Sequence, residues 1–406
     1  MKELRMVKKV RLVPIGETKE ERNEVYKFIR DSQYAQYQGL NKAMSVLTNA
    51  YLVSGGDVKS DIFKEAQKSL KGSNPIFEGI NFGTGIDSKS RVSQRVKKDF
   101  SISLKNGLAK GERSFTNYKR TYPLLTNGRN LKFVYDDNDD VIIKWVNKKS
   151  FKVVTGNNPT HNMELKHTLH KLVTGSYKIC ESSFEFDRNN NLILNANISF
   201  VKETTEEFVE DRTLGVDLGI AIPAYVCISD NTYVRQGLGS VDDFLKVRLQ
   251  MKKRRRQLQK SLTMTKGGKG RQKKLKAMEQ FKEKERNFAK TYNHQLSHKI
   301  VKFAKDNQCQ YINLEKLTKE GFSNSLLGSW SYYELQTMIE YKAEREGIKV
   351  RYVNPAYTSQ TCSKCGHVDR ENRKTQAQFE CVKCGFKLNA DHNASINIAR
   401  SKDFVK

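Results

Sequence analysis

Long hydrophobic runs are missing from this chain of 406 residues. The longest apolar stretch, Leu214 to Ile228, falls short of the roughly 18 residues that a membrane-spanning helix needs, and Asp217 interrupts it. The opening MKELRMVKKVRLV has no apolar signal core followed by a small-residue cleavage site. No amphipathic anchor or lipidation motif is present. The expectation is a cytoplasmic protein with no membrane partner. No internal repeat of fixed period appears, which argues against a repeat array.

Acids are also scarce. Lys and Arg total 73 against 45 Asp and Glu, a net charge of +28. Such an excess repels itself unless a polyanion neutralises it, and nucleic acid does so with release of counterions. The length is too great for one ordinary core and points to two or three domains. Two motifs are incomplete where they would matter. In TKGGKGRQKK, Gly270 follows Lys269 where a phosphate-cradling loop needs Ser or Thr. His294 and His298 have zinc-binding spacing, but Gln295 stands where a metalloprotease needs Glu. Both features read as ordinary helix or turn.

Seven cysteines are present, and four form two pairs: Cys362 with Cys365, and Cys381 with Cys384, fifteen residues apart. In a reducing compartment this pattern argues for metal rather than disulfides. A Gly follows the second Cys of each pair and permits the tight turn that aims two thiolates at one ion. Four thiolates mean a closed, structural Zn2+ site. Cys180, Cys227 and Cys309 sit in apolar contexts and read as buried small hydrophobes.

Periodicity divides the chain. Residues 4–15 read as a strand, 20–115 as a mostly helical unit, and 118–205 as short strands separated by Asn/Asp/Gly turns, with a hairpin at Asn189-Asn190-Asn191. The N-terminal strand and the later ones together suggest a small β-barrel interrupted by helices. From Thr213 the order is three strands, a basic helical stretch at 241–306, a strand, a helix at about 327–346, a strand, the cysteine segment and a final helix from about 391. That order suits an α/β RNase H-like layer fold.

Three acids stand out. Asp217 interrupts the apolar strand LGVDLGIAI, Glu315 ends the short strand CQYINLE, and Asp391 opens the last helix in NADHNASINIA. Each has a bland reading alone: a strand-end hydrogen bond, a solvated acid, a carboxylate balancing a helix dipole. Together, in so basic a chain, they fit hard oxygen ligands for Mg2+. Two such ions activate water and stabilise the leaving oxygen in phosphodiester hydrolysis.

GVDLGIAIPAYV, INLEKL, NADHNASINIA and the block NPAYTSQTCSKCGHVDRENRKTQAQFECVKCGF resemble the three RuvC motifs and the target-nucleic-acid-binding zinc ribbon of TnpB and the type V CRISPR effectors. LLGSWSYYELQTMIEYKAEREGIKV resembles the helix before the last strand in the miniature type V-F branch. The resemblance is specific over about 213–400 and only architectural over 1–210. It implies a multidomain α+β protein. A wedge-like β-barrel would occupy 1–19 and 116–210, and a helical recognition domain 20–115. A RuvC-like nuclease would occupy 211–359 and 389–406, with a zinc ribbon at 360–388. The implied activity is RNA-guided cleavage of double-stranded DNA in antiviral defence, with Asp217, Glu315 and Asp391 as metal-holding acids and two copies on one guide RNA. Arg373 matches an arginine expected at the scissile phosphate, with Arg370 as the alternative, and Asn393 matches a residue supporting the last acid. The remaining alternatives are a transposon-encoded TnpB, a non-cleaving guided repressor and a nuclease that needs no guide.

Residues 251–290 hold sixteen Lys/Arg against three acids, including Lys252, Lys253, Arg254, Arg255 and Arg256. The excess is too lopsided for a solvated helix face, and nucleic-acid phosphates are the expected counterpart. Arg91, Arg95, Tyr118, Lys119 and Arg120 are further candidates for backbone or flank-motif contacts. Trp330, Tyr332 and Tyr333 are candidates for base stacking, with at least one expected in a core.

Overall fold

The structure is a computed structural model that describes residues 3–70, 75–201, 207–219, 222–316 and 332–405. The chain divides into two compact units, Met1–Lys202 and Glu203–Lys406.

In the first unit, strand β1 (Glu3–Pro14) is followed by helices α1 (Lys19–Val53), α2 (Asp61–Ser69) and α3 (Ile86–Lys105) before the next strand begins. Thr18 caps α1 by accepting from the Glu21 amide, and Ser60 caps α2 in the same way. The three helices enclose their own core, built on Leu40, Leu47, Phe63, Val92 and Phe100. The remaining strands are β2 (Leu124–Thr126), β3 (Lys132–Tyr135), β4 (Val141–Lys144), β5 (Ser150–Val154), β6 (Lys178–Ile179), β7 (Ser182–Phe186) and β8 (Leu192–Val201). The pairing order is β2-β7-β8-β1-β5-β4-β3, with β6 beside β8. β1 lies at the centre, antiparallel to both β8 and β5. The helical segment is therefore an insertion after one strand of this sheet.

Among the described residues no ladder joins β2 to β3, so backbone pairing does not close the barrel expected from sequence. The sheet nevertheless rolls up. Trp145, just after β4, donates its indole N–H to Thr126 on edge strand β2 at 2.9 Å. Its ring lies 4.7 Å from that of Phe184 on β7. Side chains bridge the seam where a ladder would.

Reading 118–205 as strands alone misses helix α4 (Pro159–Val173). Asn158 caps it, Pro159 opens it, and Leu165, Leu169 and Leu172 bury one face against the sheet. The expected hairpin is present between β7 and β8. Asn190 takes φ 60°, and Asp187 Oδ1 accepts from the amides of Asn189 and Asn191 at 2.8 Å each.

The second unit contains β9 (Val209–Asp217), β10 (Ala224–Ile228), β11 (Arg235–Leu238), α5 (Val241–Thr263), α6 (Gly268–Asp306), β12 (Cys309–Glu315), α7 (Tyr332–Glu346), β13 (Lys349–Val353), β14 (Gln378–Glu380), β15 (Lys387–Asn389) and α8 (Ala390–Arg400). The main sheet runs β11-β10-β9-β12-β13. The hairpin strands β9, β10 and β11 are antiparallel, whereas β12 joins β9 and β13 in parallel. Its near-continuous apolar strands bury Leu214, Val216, Val226, Ile312 and Leu314. The basic stretch breaks after Thr263, and α6 already begins at Gly268 (φ 69°), so all of GRQKK is helical rather than turn. The first residues expected in the helix at 327–346, Trp330 among them, lie outside the described residues.

Helix α8 packs directly on β9. A Cβ at Gly215 would run into the α8 backbone at Ser395 and Ala399, so only glycine lets the helix come this close. Asn313, buried in β12, donates to Ile398 O at 2.9 Å and accepts from Arg351 at 3.0 Å, which ties down the far end of α8.

Candidate active site

Asp217 is the last residue of β9 and Glu315 the last of β12. The parallel register pairs Leu314 with Val216, so the two acids stand side by side at the carboxyl end of the sheet. Side chains at such strand ends face a crevice rather than a neighbouring strand. Asn389 caps α8 by accepting from the His392 amide, which puts Asp391 in the first turn of the helix. Because α8 lies against β9, its first turn reaches the same end of the sheet.

Solvent touches the edges of Asp217 and Glu315, while Asp391 is buried. Protein atoms crowd all three carboxyls. Burial, then the charges of Glu315 and Asp391, holds the Asp217 pKa well above the usual carboxylate range. Burial also raises Glu315 and Asp391. Arg373 opposes the rise at all three positions. Its Nη2 lies 3.7 Å from Asp391 Oδ1 and donates to Gln376 O at 3.2 Å. Arg373 is therefore the guanidinium that the fold brings to the acids. Arg370 sits on a short 3-10 turn, Arg370–Asn372, at the surface.

Several neighbours had no signal in the sequence. The Thr358 hydroxyl donates to Glu315 Oε1. Gln336 on α7 donates to Glu315 O at 2.7 Å. Asn397, one turn after Asn393 on α8, donates to Thr358 O at 2.9 Å and Thr361 O at 2.7 Å. Tyr332 is buried rather than open for stacking, and Asp217, after burial, raises its pKa to about 12. Tyr333 is exposed.

Asn393 spends its side chain on the first cysteine hairpin. It is fully buried, its Oδ1 accepts from Ser363 N at 3.0 Å, and its Nδ2 donates to Thr361 O at 2.8 Å. Both polar atoms hold the first cysteine hairpin onto α8. It is a positioning residue for that hairpin.

The four cysteines converge, with all four sulfurs within 4.8 Å of one another. Cys362 and Cys384 Sγ are 3.8 Å apart, and Cys365 and Cys381 Sγ are 3.7 Å apart. A tetrahedral ion with metal–sulfur bonds of about 2.3 Å requires sulfur–sulfur edges of about 3.8 Å. The residues therefore fit a metal ion closely. Gly366 (φ 75°) and Gly385 (φ 67°) make the tight turns. Asn372 joins the two hairpins, donating to Gln360 O at 2.8 Å and accepting from Val382 N at 2.9 Å. The apolar core under them is small: Phe379, Ala390 and the edge of Phe386, beside two of the cysteines.

The basic candidates divide. Arg91 is committed to Asp87 and Glu181, at 3.6 and 3.3 Å, and Arg95 to Asp99 at 2.9 Å. Tyr118 is buried and donates to Asp99 at 2.9 Å. All three side chains are engaged by acids of the first unit. Lys119 and Arg120 are exposed, with the Arg120 guanidinium over the Tyr34 ring at 4.5 Å. In α5, Arg255 pairs with Glu285 of α6 at 3.0 Å and bridges the two helices. Lys253, Arg254 and Arg256 are exposed and Lys252 is partly so. No described helix is long and apolar enough to cross a membrane.

A family model described as the Cas12f1-like TNB domain matches residues 332–398, the span from α7 to α8 that carries the cysteines, Arg373 and Asp391. The chain is 37% identical over 241 residues to the CRISPR-associated endodeoxyribonuclease Cas12f1 of Sulfoacidibacillus thermotolerans, covering 58% of this chain and 56% of that one. It thus spans just over half the length of that relative. It is 41% identical over 80 residues, 20% of each chain, to the putative RNA-guided DNA endonuclease InsQ of Escherichia coli K12. In fold it matches a Cas12f1 chain solved in complex with sgRNA and target DNA, at TM-score 0.73 and 21% identity, over 93% of this chain and 83% of that one. That likeness, at low identity, speaks for the fold alone. The chain is thus similar in sequence to CRISPR-associated Cas12f1 endodeoxyribonucleases over just over half its length and, over a shorter span, to a putative RNA-guided DNA endonuclease, and it shares the Cas12f1 fold.

Proposed function

We propose that the chain is an RNA-guided DNA endonuclease with a RuvC-type site on an RNase H-like fold. The observation that carries this reading is the meeting of Asp217, Glu315 and Asp391 at one end of the sheet, beside the Arg373 guanidinium. Guide dependence and a DNA target come from the names of its relatives, and a pair of copies on one guide RNA belongs to the same proposal.

Three crowded carboxylates with raised pKa values suit a site that receives divalent cations, and hard oxygen ligands favour Mg2+. When bound, such ions would activate water and stabilise the leaving oxygen of a phosphodiester. Thr358 fixes one oxygen of Glu315, and Gln336 fixes the backbone beneath it. Arg373 supplies positive charge where a phosphate would sit. The cysteine site would hold Zn2+, whose binding free energy would fold a segment with little apolar core.

The test is Asp217→Ala in the protein–RNA complex. Cleavage of matched DNA should fall by several orders of magnitude, with RNA and DNA binding nearly unchanged. Full cleavage by this variant would refute the metal-site assignment. Sequencing the RNA that co-purifies from the native locus separates the branches. Repeat–spacer RNA marks a CRISPR effector, and RNA overlapping the gene's own 3′ end marks a transposon-encoded TnpB. Absence of any specific RNA would remove guide dependence.

A further inference from the structure

Tyr357 has a backbone φ of 64°, in the left-handed region where a bulky side chain costs energy. Its surroundings hold it there. The Tyr357 carbonyl accepts from Gln360 N and Thr361 N at 2.9 Å each and from Thr361 Oγ1 at 2.8 Å. Asn354 Oδ1 accepts from Ala356 N at 3.1 Å just before it. Strain fixed this firmly tends to occur where a side chain must be aimed.

Two things are aimed. The next residue, Thr358, turns inward to Glu315. Tyr357 itself turns outward and is 62% exposed, and among the described residues no aromatic or cationic partner lies on its ring. A large aromatic held open by strained backbone, one residue from a group touching a site acid, packs no core. In a chain of +28 charge, a planar ring beside a phosphate-processing site fits the face of a nucleobase.

We infer that Tyr357 is a base-stacking residue that seats the nucleic-acid strand whose phosphate enters the acid site. This rests on the nuclease reading and adds to it a named contact on the substrate. The stack would hold the strand while Glu315 stays oriented by Thr358, so strain at one residue serves both tasks. Any base offers a π-face, so the contact would be indifferent to sequence.

The experiment uses the full-length protein with its co-purified RNA and a target strand carrying 2-aminopurine at successive positions, with Ca2+ in place of Mg2+ to keep the strand uncut. The wild type and Tyr357→Phe should quench the fluorophore at one position, and Tyr357→Ala should not. In Mg2+, Tyr357→Ala should raise KM for the strand roughly tenfold, as loss of one base–aromatic stack implies, with little change in kcat. Tyr357→Gly relieves the strain, so its Tm should be no lower than wild type while its KM rises as for Ala. Unchanged quenching and KM in Tyr357→Ala would overturn the proposal. So would equal loss in Phe and Ala, or a Tyr357→Gly protein that loses activity and stability together. Quenching is read without cleavage, so failure of the nuclease reading, seen as full cutting by Asp217→Ala, remains separate.

Discussion

Arg373, carried between the two cysteine hairpins, lies with Nη2 3.7 Å from Asp391 Oδ1. The first hairpin is joined to α8 through Asn393 and Asn397, and Asn397 also holds the Thr358 loop. A metal ion held at the cysteines would thereby be linked to order at the acids.

Stripping that metal should therefore stop cleavage even with Mg2+ present. Phenanthroline treatment or Cys381→Ser should lower the cleavage rate by about a hundredfold or more, because both Arg373 and Thr358 lose their support. Metal content by atomic emission should fall from one ion per chain to none, and added zinc should restore both quantities in the chelated wild type. Cleavage that persists at zero metal content would break the link.

Thr358→Val removes the hydroxyl that orients Glu315 at nearly constant volume. Metal affinity or activity should drop about 10- to 100-fold, the usual cost of losing a group that orients a ligand. Thr358→Ser should recover most of it. Mn2+ titration followed by electron paramagnetic resonance reads affinity apart from turnover, and equal affinity in Val, Ser and wild type would refute the role.

Stability of the metal-free protein should depend on pH through the acids. Their folded pKa values stand above the unfolded ones, near 4, so the folded state binds more protons in between. Their contribution is most favourable below the unfolded values and is lost as pH rises through the folded ones. Mg2+ binds the charged form. The rise in Tm on adding Mg2+ should then be larger at pH 8 than at pH 5, as scanning calorimetry can measure. Asp217→Asn should shrink the difference.

On the basic helices, Lys253, Arg254 and Arg256 are open while Arg255 is paired with Glu285. Replacing the three open residues with alanine should weaken nucleic-acid binding and reduce the slope of log K against log salt by about 0.7–0.9 for each phosphate that is no longer neutralised. Arg255→Ala should instead lower Tm with a smaller change in slope, since it removes a bridge between α5 and α6.

Local chemistry was legible in the sequence. The four cysteines announce a metal because thiolate pairs closed by Gly366 and Gly385 have few other uses. Asp217 and Glu315 announce themselves because a carboxylate at the end of an apolar strand needs a reason. The order of strands and helices after Thr213 follows from hydrophobic period, since side-chain alternation and helical stripes are properties of adjacent residues. Even α4, passed over in the strand-and-turn reading of 118–205, had its signal in Asn158-Pro159 and the spacing of Leu165, Leu169 and Leu172.

Other features depended on distance in space, which the sequence does not encode residue by residue. Thr358, Gln336 and Asn397 are ordinary polar residues until parallel pairing of β12 with β9, and α8 lying on Gly215, bring them to the acids. Arg91 looks like free charge until Glu181, ninety residues away in the sequence, reaches it, whereas Asp87 beside Arg91 and Asp99 beside Arg95 are i,i+4 neighbours on α3 that the sequence already offers. Asn393 sits two residues from Asp391, yet helical geometry turns it about 200° around the axis and onto the cysteine hairpin. The sequence alone determined which chemistry the chain could carry. Only the tertiary structure decided which polar groups serve the acids and which are spent holding the fold, because a hydrogen bond is set by where two groups meet and not by which residues they are.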